Sequence, residues 1–299
     1  MEWDIAQLRA LSAAVSEGIF EAAARVLHVT PSAISQRLRA LEVATGRVLL
    51  VRSKPVQVTE SGEVVLRLAR QIDLLAAETA HELGEDYSAA APRAMPRAVP
   101  IAVNADSLAT WVLPALALLA GSVCLDIHRE DQEYTAALLR DATVMAAITA
   151  DADPVPGCSA TRLGSMRYRP MAGPAFIERW LPDGSTRQAL AEAPVVVFDR
   201  KDDLQHRYLR GRRWKRMDPP KHFVPSSADF LTAVRLGLGW GMLPDLQSAP
   251  WEHTGQLIDI DPHGGTDVAL YWQQWKLRSA TLDRIAVTVL AAARRHLRQ

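Results

Sequence analysis

Hydrophobic residues in the first sixty positions recur at spacings of three and four, a period that predicts short amphipathic helices. Asp4 is placed to cap the first helix, Gly18 ends it, and a second short helix follows. The third helix begins after Thr30, which is a good N-cap, and Pro31 at the first helical position loses no hydrogen bond that the helix needs. Because this helix stops at Gly46, the segment predicts three packed helices.

The third predicted helix has two unlike faces. At about 100° per residue, Ile34, Leu38 and Leu41 cluster on one side and form the buried stripe. The opposite face carries short hydrogen-bonding side chains and one cation, namely Ser32, Ser35, Gln36 and Arg39. Such side chains suit base edges and phosphates in a major groove, and a small helix packed across such a helix is the helix-turn-helix arrangement. A plain three-helix bundle with a solvated polar face is the alternative.

Two short apolar stretches, 48–52 and 56–58, flank a basic turn and predict a hairpin wing. Residues 1–58 are therefore predicted to form an N-terminal, mainly α-helical, winged helix-turn-helix domain. This domain carries seven Lys or Arg against five Asp or Glu, a weak positive bias.

A long linker helix is predicted over residues 59–83. Its apolar positions alternate steps of three and four, as in a heptad seam: Val65, Leu68, Ile72 and Leu75. A single exposed seam of this kind needs a partner helix, so we predict that it joins two copies of the chain. The alternative is that the seam packs on its own domain.

The pattern changes after a hinge linker at 84–98, which is rich in Ala, Pro and polar residues. From there short apolar strands alternate with helices, which predicts a C-terminal α/β module with parallel strands and crossover helices. The predicted strands are 99–103, 123–130, 144–149, 194–198, 240–243 and 267–277, and the predicted helices are 107–120, 134–140, 228–236 and 279–297.

Ligands of open α/β sheets bind beyond the carboxyl ends of the strands. The first predicted strand ends in the stretch 103–107, where a helix begins, and the free backbone N–H groups of this helix can receive an α-carboxylate, helped by Ser107 and Thr110. Acidic residues follow several predicted strands, namely Asp106, Glu130, Asp131, Asp199 and Asp202. Together they favour an ammonium or guanidinium ligand. Taken alone, each acid is ordinarily an exposed cap or a solvated loop residue.

The run FEAAARVLHVTPSAISQRLRALEVATGRVLLVR at residues 20–52, followed by TESG, resembles the LysR-type transcriptional regulators. The resemblance covers the whole predicted winged-helix domain and the start of the linker helix. It implies DNA contacts from Arg25, Thr30, Pro31, Ser32, Ser35, Gln36, Arg39, Arg52 and Lys54. Many members carry another Arg where this chain has Gln57, so the resemblance implies weaker wing contacts here.

Four further stretches, VNADSLATW, HREDQE, PVPGC and LYWQQWKL, resemble the lysine- and arginine-sensing branch (ArgP/LysG type) of that family. This likeness implies a two-lobed, periplasmic-binding-protein-like effector module, with lobe I at 99–163 and 267–299 and lobe II at 164–266. It also implies a lysine or arginine effector, no cofactor, and a basic-amino-acid exporter gene as target. Members of this branch carry Glu at the position of Ala228, whereas here the neighbouring Asp229 is the acid. The implied effector-binding residues are Asn104, Asp106, Ser107, Thr110, Trp111, Glu130, Asp131, Thr149, Asp199, Asp202, Ser226 and Asp229.

Composition excludes several other classes of protein. Lys plus Arg and Asp plus Glu each number 34, so the chain is no polycationic coat, although a local DNA site remains compatible. Two cysteines exclude a disulfide-dense scaffold, and the eight histidines show no metal-ligand spacing. Because no nucleophile elbow or phosphate loop occurs, we predict that the protein is not an enzyme. An acidic, amphipathic start and the lack of a long apolar run predict a cytoplasmic protein with no membrane contact.

The sequence thus predicts a regulator that binds double-stranded promoter DNA and an amino-acid effector, contacts RNA polymerase and forms a homodimer or homotetramer. Three alternatives remain open. One is a DNA-binding architectural or replication-control protein with an incidental ligand. Another is a regulator of the same family with a different effector. The last is an enzyme or transport-binding lobe fused to a helix-turn-helix.

Overall fold

The structure is a computed structural model that describes residues 3–51, 53–83, 98–129, 135–212, 214 and 217–299. The chain divides into two compact units, and it enters each of them more than once. The first unit comprises Met1–Ala102, Leu119–Ala160 and Gln273–Ala286, and the second comprises Val103–Leu118, Thr161–Trp272 and Val287–Gln299.

The N-terminal helices lie where the hydrophobic period places them: α1 (Ile5–Glu17), α2 (Phe20–Val26) and α3 (Pro31–Thr45). Asp4 caps α1, since its carboxylate accepts a hydrogen bond from the Ala6 N–H at 2.7 Å. Thr30 caps α3 in the same way through the Ala33 N–H. Gly46 ends α3 at a φ of 64°, a left-handed conformation that favours glycine.

The core of the helical domain confirms the predicted stripe. Ile34, Leu38 and Leu41 are buried, and α3 packs against both α1 and α2. The wing is a short antiparallel hairpin, β1 (Leu50–Val51) with β2 (Gln57–Val58). The Leu49 carbonyl accepts a hydrogen bond from the Thr59 N–H.

The long helix α4 (Glu60–Glu82) begins tightly against the wing. A Cβ atom at Gly62 would lie 2.0 Å from the Leu49 carbonyl oxygen, so only glycine allows this approach. The helix packs on α1, where Arg9 forms an ion pair with Asp73 at 3.1 Å.

The same helix also contacts α/β segments of the first unit. The Arg67 guanidinium donates to the Arg140 carbonyl at 2.9 Å. The Glu78 carboxylate accepts from the Ser279 hydroxyl at 2.6 Å and from the Thr281 N–H at 2.9 Å. Burial raises the pKa of Glu78, but these hydrogen bonds outweigh it and leave the pKa below its usual value.

The sheet of the first unit contains strands β3 (Val99–Val103), β4 (Leu125–Arg129) and β5 (Ala146–Thr149). The order is β4-β3-β5, and β5 is followed by the end of β11 (Thr266–Trp275). Helix α7 (Thr135–Arg140) packs on β5. The three predicted strands 99–103, 123–130 and 144–149 are therefore confirmed within a few residues.

The second unit is built around strand β6 (Cys158–Ala172), which pairs antiparallel with β9 (Gly241–Pro244) and β10 (Ile258–Asp259) and also neighbours β11. A second, parallel pair is formed by β7 (Val195–Val197) and β8 (Lys221–Phe223). The other helices that the structure describes are α5 (Ala105–Ser107), α6 (Leu113–Ala117), α8 (Pro174–Trp180), α9 (Arg187–Glu192), α10 (Leu204–Gly211), α11 (Ser227–Arg235), α12 (Asp245–His253) and α13 (Ala280–His296), with a π-helical segment at Leu108–Val112.

The core of the second unit lies between α11 and the strands. It contains Met171, Val196, Phe230, Val234, Leu243 and Leu257. A glycine turn joins α11 to β9, since α11 ends at Arg235, Gly237 has a φ of 83° and β9 begins at Gly241. A Cβ at Gly241 would meet the Phe230 ring at 2.8 Å, so this glycine also permits close packing.

Two predictions about this module need correction. The expected parallel sheet is mixed, since β6 is antiparallel to β9 and β10. Residues 103–118 and 287–299, predicted in lobe I, lie in the second unit. The reason at 103–118 is that Asp106 and the π-helical segment contact elements of the second unit.

Within the described residues, no helix combines the length and the apolar character needed to cross a membrane.

Candidate DNA interface and ligand site

The predicted DNA-contacting side chains of α3 lie on its solvent side. Ser32, Gln36 and Arg39 are exposed, and Ser35 is half-buried. Thr30 uses its hydroxyl at the helix start, where it lies 2.9 Å from the Ser32 hydroxyl. The opposite side of the helix is the buried stripe, so tertiary packing fixes which face is free.

The structure describes two of the three cations that were predicted to contact DNA beside α3. Arg25 is exposed in the last turn of α2, and Lys54 is exposed in the wing. Arg52 lies outside the described residues. Gln57, where many relatives carry an arginine by the resemblance, is exposed in β2.

The predicted seam of α4 needs a correction at its first member. Val65 is 6% exposed within a single chain, because the face that contains Val65, Leu66 and Ala69 packs against its own unit. Leu68 and Ile72 are half-buried and Leu75 is 38% exposed. The alternative of packing on the own domain therefore holds for Val65, while dimerisation through Leu68, Ile72 and Leu75 stays a prediction.

A carboxylate that accepts two hydrogen bonds marks the candidate ligand site of the second unit. Asp106, in the short helix α5, accepts from the Tyr168 hydroxyl at 2.7 Å and from the Ser227 hydroxyl at 2.8 Å. Tyr168 lies on β6 and Ser227 begins α11, so three elements meet at this carboxylate. The side chain therefore has a fixed position.

The electrostatic surroundings of Asp106 disfavour its charge. Burial raises the pKa of this carboxyl, the Tyr168 and Ser227 hydrogen bonds oppose that rise, and the negative charge of Asp202 adds to it. Burial also raises the pKa of Tyr168, and the nearby Asp106 charge raises it further, so the phenol remains a donor.

Buried polar atoms gather on the same segment. The Asn104 amide oxygen, the Ser107 hydroxyl and the Trp111 indole N–H are enclosed and have no hydrogen-bond partner among the described residues. Asn104 is 3% exposed and Ser107 is 0% exposed. Because buried polar groups are ordinarily hydrogen-bonded, this cluster indicates a polar ligand.

The backbone of this segment adds donors. Asn104 precedes α5 in extended conformation, and the first N–H groups of a helix have no intrahelical acceptor. The hydroxyl of Thr110 donates to the Asp106 carbonyl at 2.6 Å, one turn back, within the π-helical segment. The predicted help of Thr110 in binding an anion would therefore compete with this bond.

Three residues at this site were not predicted from the sequence. Ser227 was passed over in favour of Ser226 and Asp229, and Tyr168 lies on β6, a strand that was not predicted. Gln247, on α12, was missed as well, although its amide donates to the Ser227 hydroxyl at 3.1 Å. The β6 residues mix arginine and glycine with apolar residues, and this hides the strand period.

Other predicted residues are not brought to Asp106. Ser226 occupies the N-cap of α11 without a side-chain cap bond, and Asp229 is exposed in the first turn. The hydroxyl of Thr149, in the first unit, accepts from the Asp151 N–H. Glu130 and Asp131 lie outside the described residues.

The carboxylates of Asp199 and Asp202 accept hydrogen bonds from the backbone of their own loop. Asp199 accepts from the Lys201 and Asp202 N–H groups, and Asp202 accepts from the Phe198 and Leu204 N–H groups. Both acids therefore act as turn caps, and their convergence into one cation-binding pocket stays a prediction. Among the described acids, Asp202 adds to the rise in the pKa of Asp106 through its negative charge.

No group of three or more His, Cys, Asp or Glu in the described part of the chain is arranged to hold a metal ion.

The fold and these sites define a class of protein: a winged helix-turn-helix with a polar recognition face, followed by an α/β module with an enclosed ligand site. The chain belongs to the LysR family of bacterial transcriptional regulators. Residues 5–63 match the model described as bacterial regulatory helix-turn-helix protein, lysR family, and residues 97–294 match the LysR substrate binding domain.

Three relatives illustrate the similarity. The lysine export transcriptional regulatory protein LysG of Corynebacterium glutamicum is 40% identical over 299 residues, which cover 98% of each chain. The crystal structure of ArgP from Mycobacterium tuberculosis has a TM-score of 0.86 and 44% identity over 99% of each chain. Full-length LysG from Corynebacterium glutamicum with bound effector Arg has a TM-score of 0.78 and 38% identity, covering 99% of this chain and 100% of that one. The predicted fold class and family are thereby confirmed.

Proposed function

We propose that this LysR-family regulator takes a basic amino acid, lysine or arginine, as its effector and controls a gene for the export of such an amino acid. One observation carries the proposal. Asp106 is an enclosed carboxylate that accepts two hydrogen bonds from neutral hydroxyl groups. A ligand that supplies the cation would offset the burial cost that raises the pKa of this carboxyl.

The neighbouring groups suit the rest of an amino acid. The N–H groups at the start of α5 and the buried Ser107 hydroxyl are donors, and donors at a helix start favour a carboxylate. In this arrangement the α-carboxylate binds the helix start and the side-chain cation pairs with Asp106. The proposal is for ligand binding alone and includes neither a reaction nor a cofactor.

The similar proteins support the same ligand class. The LysG structure of Corynebacterium glutamicum contains the effector Arg, and that protein is named for lysine export. At 38–40% identity over nearly the whole chain, the family members share both domains with this protein.

The DNA-binding half of the proposal rests on α3. Ser35, Gln36 and Arg39 would read base edges and phosphates of double-stranded promoter DNA, and Arg25 and Lys54 would bind flanking phosphates. Two or four copies of the chain, joined in part through α4, would bind the operator in the cytoplasm and contact RNA polymerase. The effector changes transcription by favouring one of two pre-existing arrangements of this oligomer.

Thermal unfolding of the purified protein against arginine, lysine, glutamate and leucine tests the effector. A ligand at 100 times its dissociation constant stabilises the folded state by about 2.7 kcal/mol, so arginine or lysine should raise the melting temperature while glutamate and leucine should not. Asp106→Asn should remove this rise. Asp183→Asn, the same change at an exposed loop position of the same unit, should keep it.

Two results would overturn the effector assignment. One is a melting temperature that no basic amino acid changes, and the other is a full response in Asp106→Asn.

A further inference from the structure

We propose that Gln247 makes this site select arginine over lysine, because its amide oxygen is a second acceptor next to Asp106. The inference rests on the proposed function, since it needs a side-chain cation at Asp106. Gln247 lies on α12, a helix in which the sequence placed no candidate site residue.

The orientation of the Gln247 amide follows from its contacts. Its nitrogen lies 3.2 Å from the Ser227 backbone carbonyl, which can only accept a hydrogen bond. The nitrogen must therefore face Ser227, and the same nitrogen donates to the Ser227 hydroxyl at 3.1 Å. The amide oxygen is then directed away from these two contacts.

These contacts fix which group donates and which accepts in the hydrogen bonds from Gln247 through Ser227 to Asp106. Since the Ser227 hydroxyl accepts from Gln247, its own proton goes to the Asp106 carboxylate at 2.8 Å. Tyr168 donates to the other carboxylate oxygen. Gln247 thus holds Ser227 as a donor and keeps Asp106 as an acceptor.

Two groups, the Asp106 carboxylate and the Gln247 amide oxygen, can still accept further hydrogen bonds. Each carboxylate oxygen of Asp106 has about two lone-pair directions, and each receives one hydrogen bond. The Gln247 amide oxygen is buried and has no hydrogen-bond partner among the described residues. One serine hydroxyl connects the two side chains, because it donates to Asp106 and accepts from the Gln247 amide nitrogen.

Guanidinium and ammonium groups use such acceptors differently. A guanidinium presents five N–H donors in a planar fork, which can bind Asp106 and Gln247 together. An ammonium is a compact charge with three donors, and pairing with Asp106 leaves the Gln247 oxygen unbonded. A buried acceptor without a partner reduces affinity, so lysine binds more weakly.

The test compares arginine and lysine affinities, measured by titration calorimetry, in the full-length wild type and in Gln247→Leu. This variant removes the amide N–H donors and the amide oxygen and leaves an apolar side chain that is one atom shorter. We expect arginine to lose about tenfold in affinity and lysine less than about threefold, so that the preference nearly disappears. Gln256→Leu, the same change at an exposed position after α12, should keep the wild-type ratio.

Binding of arginine analogues to the wild-type protein tests the same inference without requiring that the variant folds. Arginine dimethylated on one terminal guanidinium nitrogen keeps its charge but loses two donors, and it should bind about tenfold more weakly than arginine. Equal binding of this ligand and arginine would overturn the inference, and so would an unchanged ratio or an equal loss for both amino acids in Gln247→Leu. Absence of binding to either amino acid in the wild type would instead contradict the proposed function itself.

Discussion

The predicted DNA-contacting face of α3 and the candidate site at Asp106 differ in how their side chains are held. The α3 side chains are neighbours along the chain, project into solvent and have few contacts with the rest of the protein. Asp106 has partners that lie 62 and 121 positions away, and its site is enclosed and held by hydrogen bonds between elements. One surface is a row of independent groups, whereas the other is a network.

This difference has consequences for stability. Exposed polar groups on α3 contribute little to folding, so substitutions there should affect DNA binding alone. Burial of a carboxylate beside neutral donors costs folding free energy, and the proposed cationic ligand would offset that cost. The two regions can therefore be separated by measuring binding and stability on the same variants.

The largest effect is expected on the DNA side. Replacing Ser35 and Gln36 by Ala together should weaken specific operator binding by about 100-fold or more, because each good base contact contributes about 1–3 kcal/mol of discrimination. The melting temperature should stay near that of the wild type. Gel retardation with specific and scrambled DNA, beside thermal unfolding, measures both quantities.

The matched control changes the same residue types on another helix. Gln7→Ala with Ser12→Ala on α1 should leave specific retardation unchanged. Retained specificity in the α3 variant would contradict the assignment of the recognition face, and a large fall in its melting temperature would contradict the independence of these side chains.

An intermediate effect is expected from pH at the Asp106 site. The pKa of Asp106 is raised in the ligand-free protein, so its charged form costs stability, and this cost appears as pH rises from the ordinary aspartate pKa through the raised one. A bound cation requires the carboxylate and lowers its pKa. Arginine affinity should therefore increase with pH across this window, with net release of protons.

Calorimetry in buffers of different ionisation enthalpy measures that proton release. In Asp106→Asn both the release and the binding should vanish, and the ligand-free melting temperature at neutral pH should not fall. Proton uptake on binding, or an affinity that is the same throughout the window, would show that another group carries the ligand cation.

The smallest effect is expected at the acid that caps its own loop. Asp199→Asn keeps a side chain that can accept from the Lys201 and Asp202 N–H groups, so arginine affinity should change by less than about twofold. A tenfold loss in this variant would contradict a site with a single carboxylate and would favour several acids that converge into one cation-binding pocket. Titration calorimetry decides between these outcomes.

Much of the N-terminal domain was predictable because its structure is local. Caps at Asp4 and Thr30, the ends at Gly18 and Gly46, and the buried stripe of α3 all follow from spacing within a single helix. The hairpin wing followed from two apolar stretches around a turn. The packing of Val65 within its own unit contradicted the local pattern. A heptad spacing does not show whether the same chain or a second copy covers the apolar seam.

The ligand site was predictable only where a residue sits at the end of a strand. Asp106 and Ser107 follow β3 directly, so the rule for the edge of an α/β sheet found them. Tyr168 and Gln247 escaped because β6 hides its period, and because nothing near a glutamine in α12 indicates that it reaches the start of α11.

Residues within one or two turns of chain were enough to predict the helix-turn-helix, the polar face of α3, the family and the carboxylate at 106. The packed fold was needed to show that Asp106 is enclosed and that Asp199 and Asp202 cap their own loop. It also decided which side of α4 is buried and how Tyr168, Ser227 and Gln247 orient the carboxylate. The physical reason is that hydrogen-bond networks between distant segments depend on distances of about 3 Å, which only the packed fold sets.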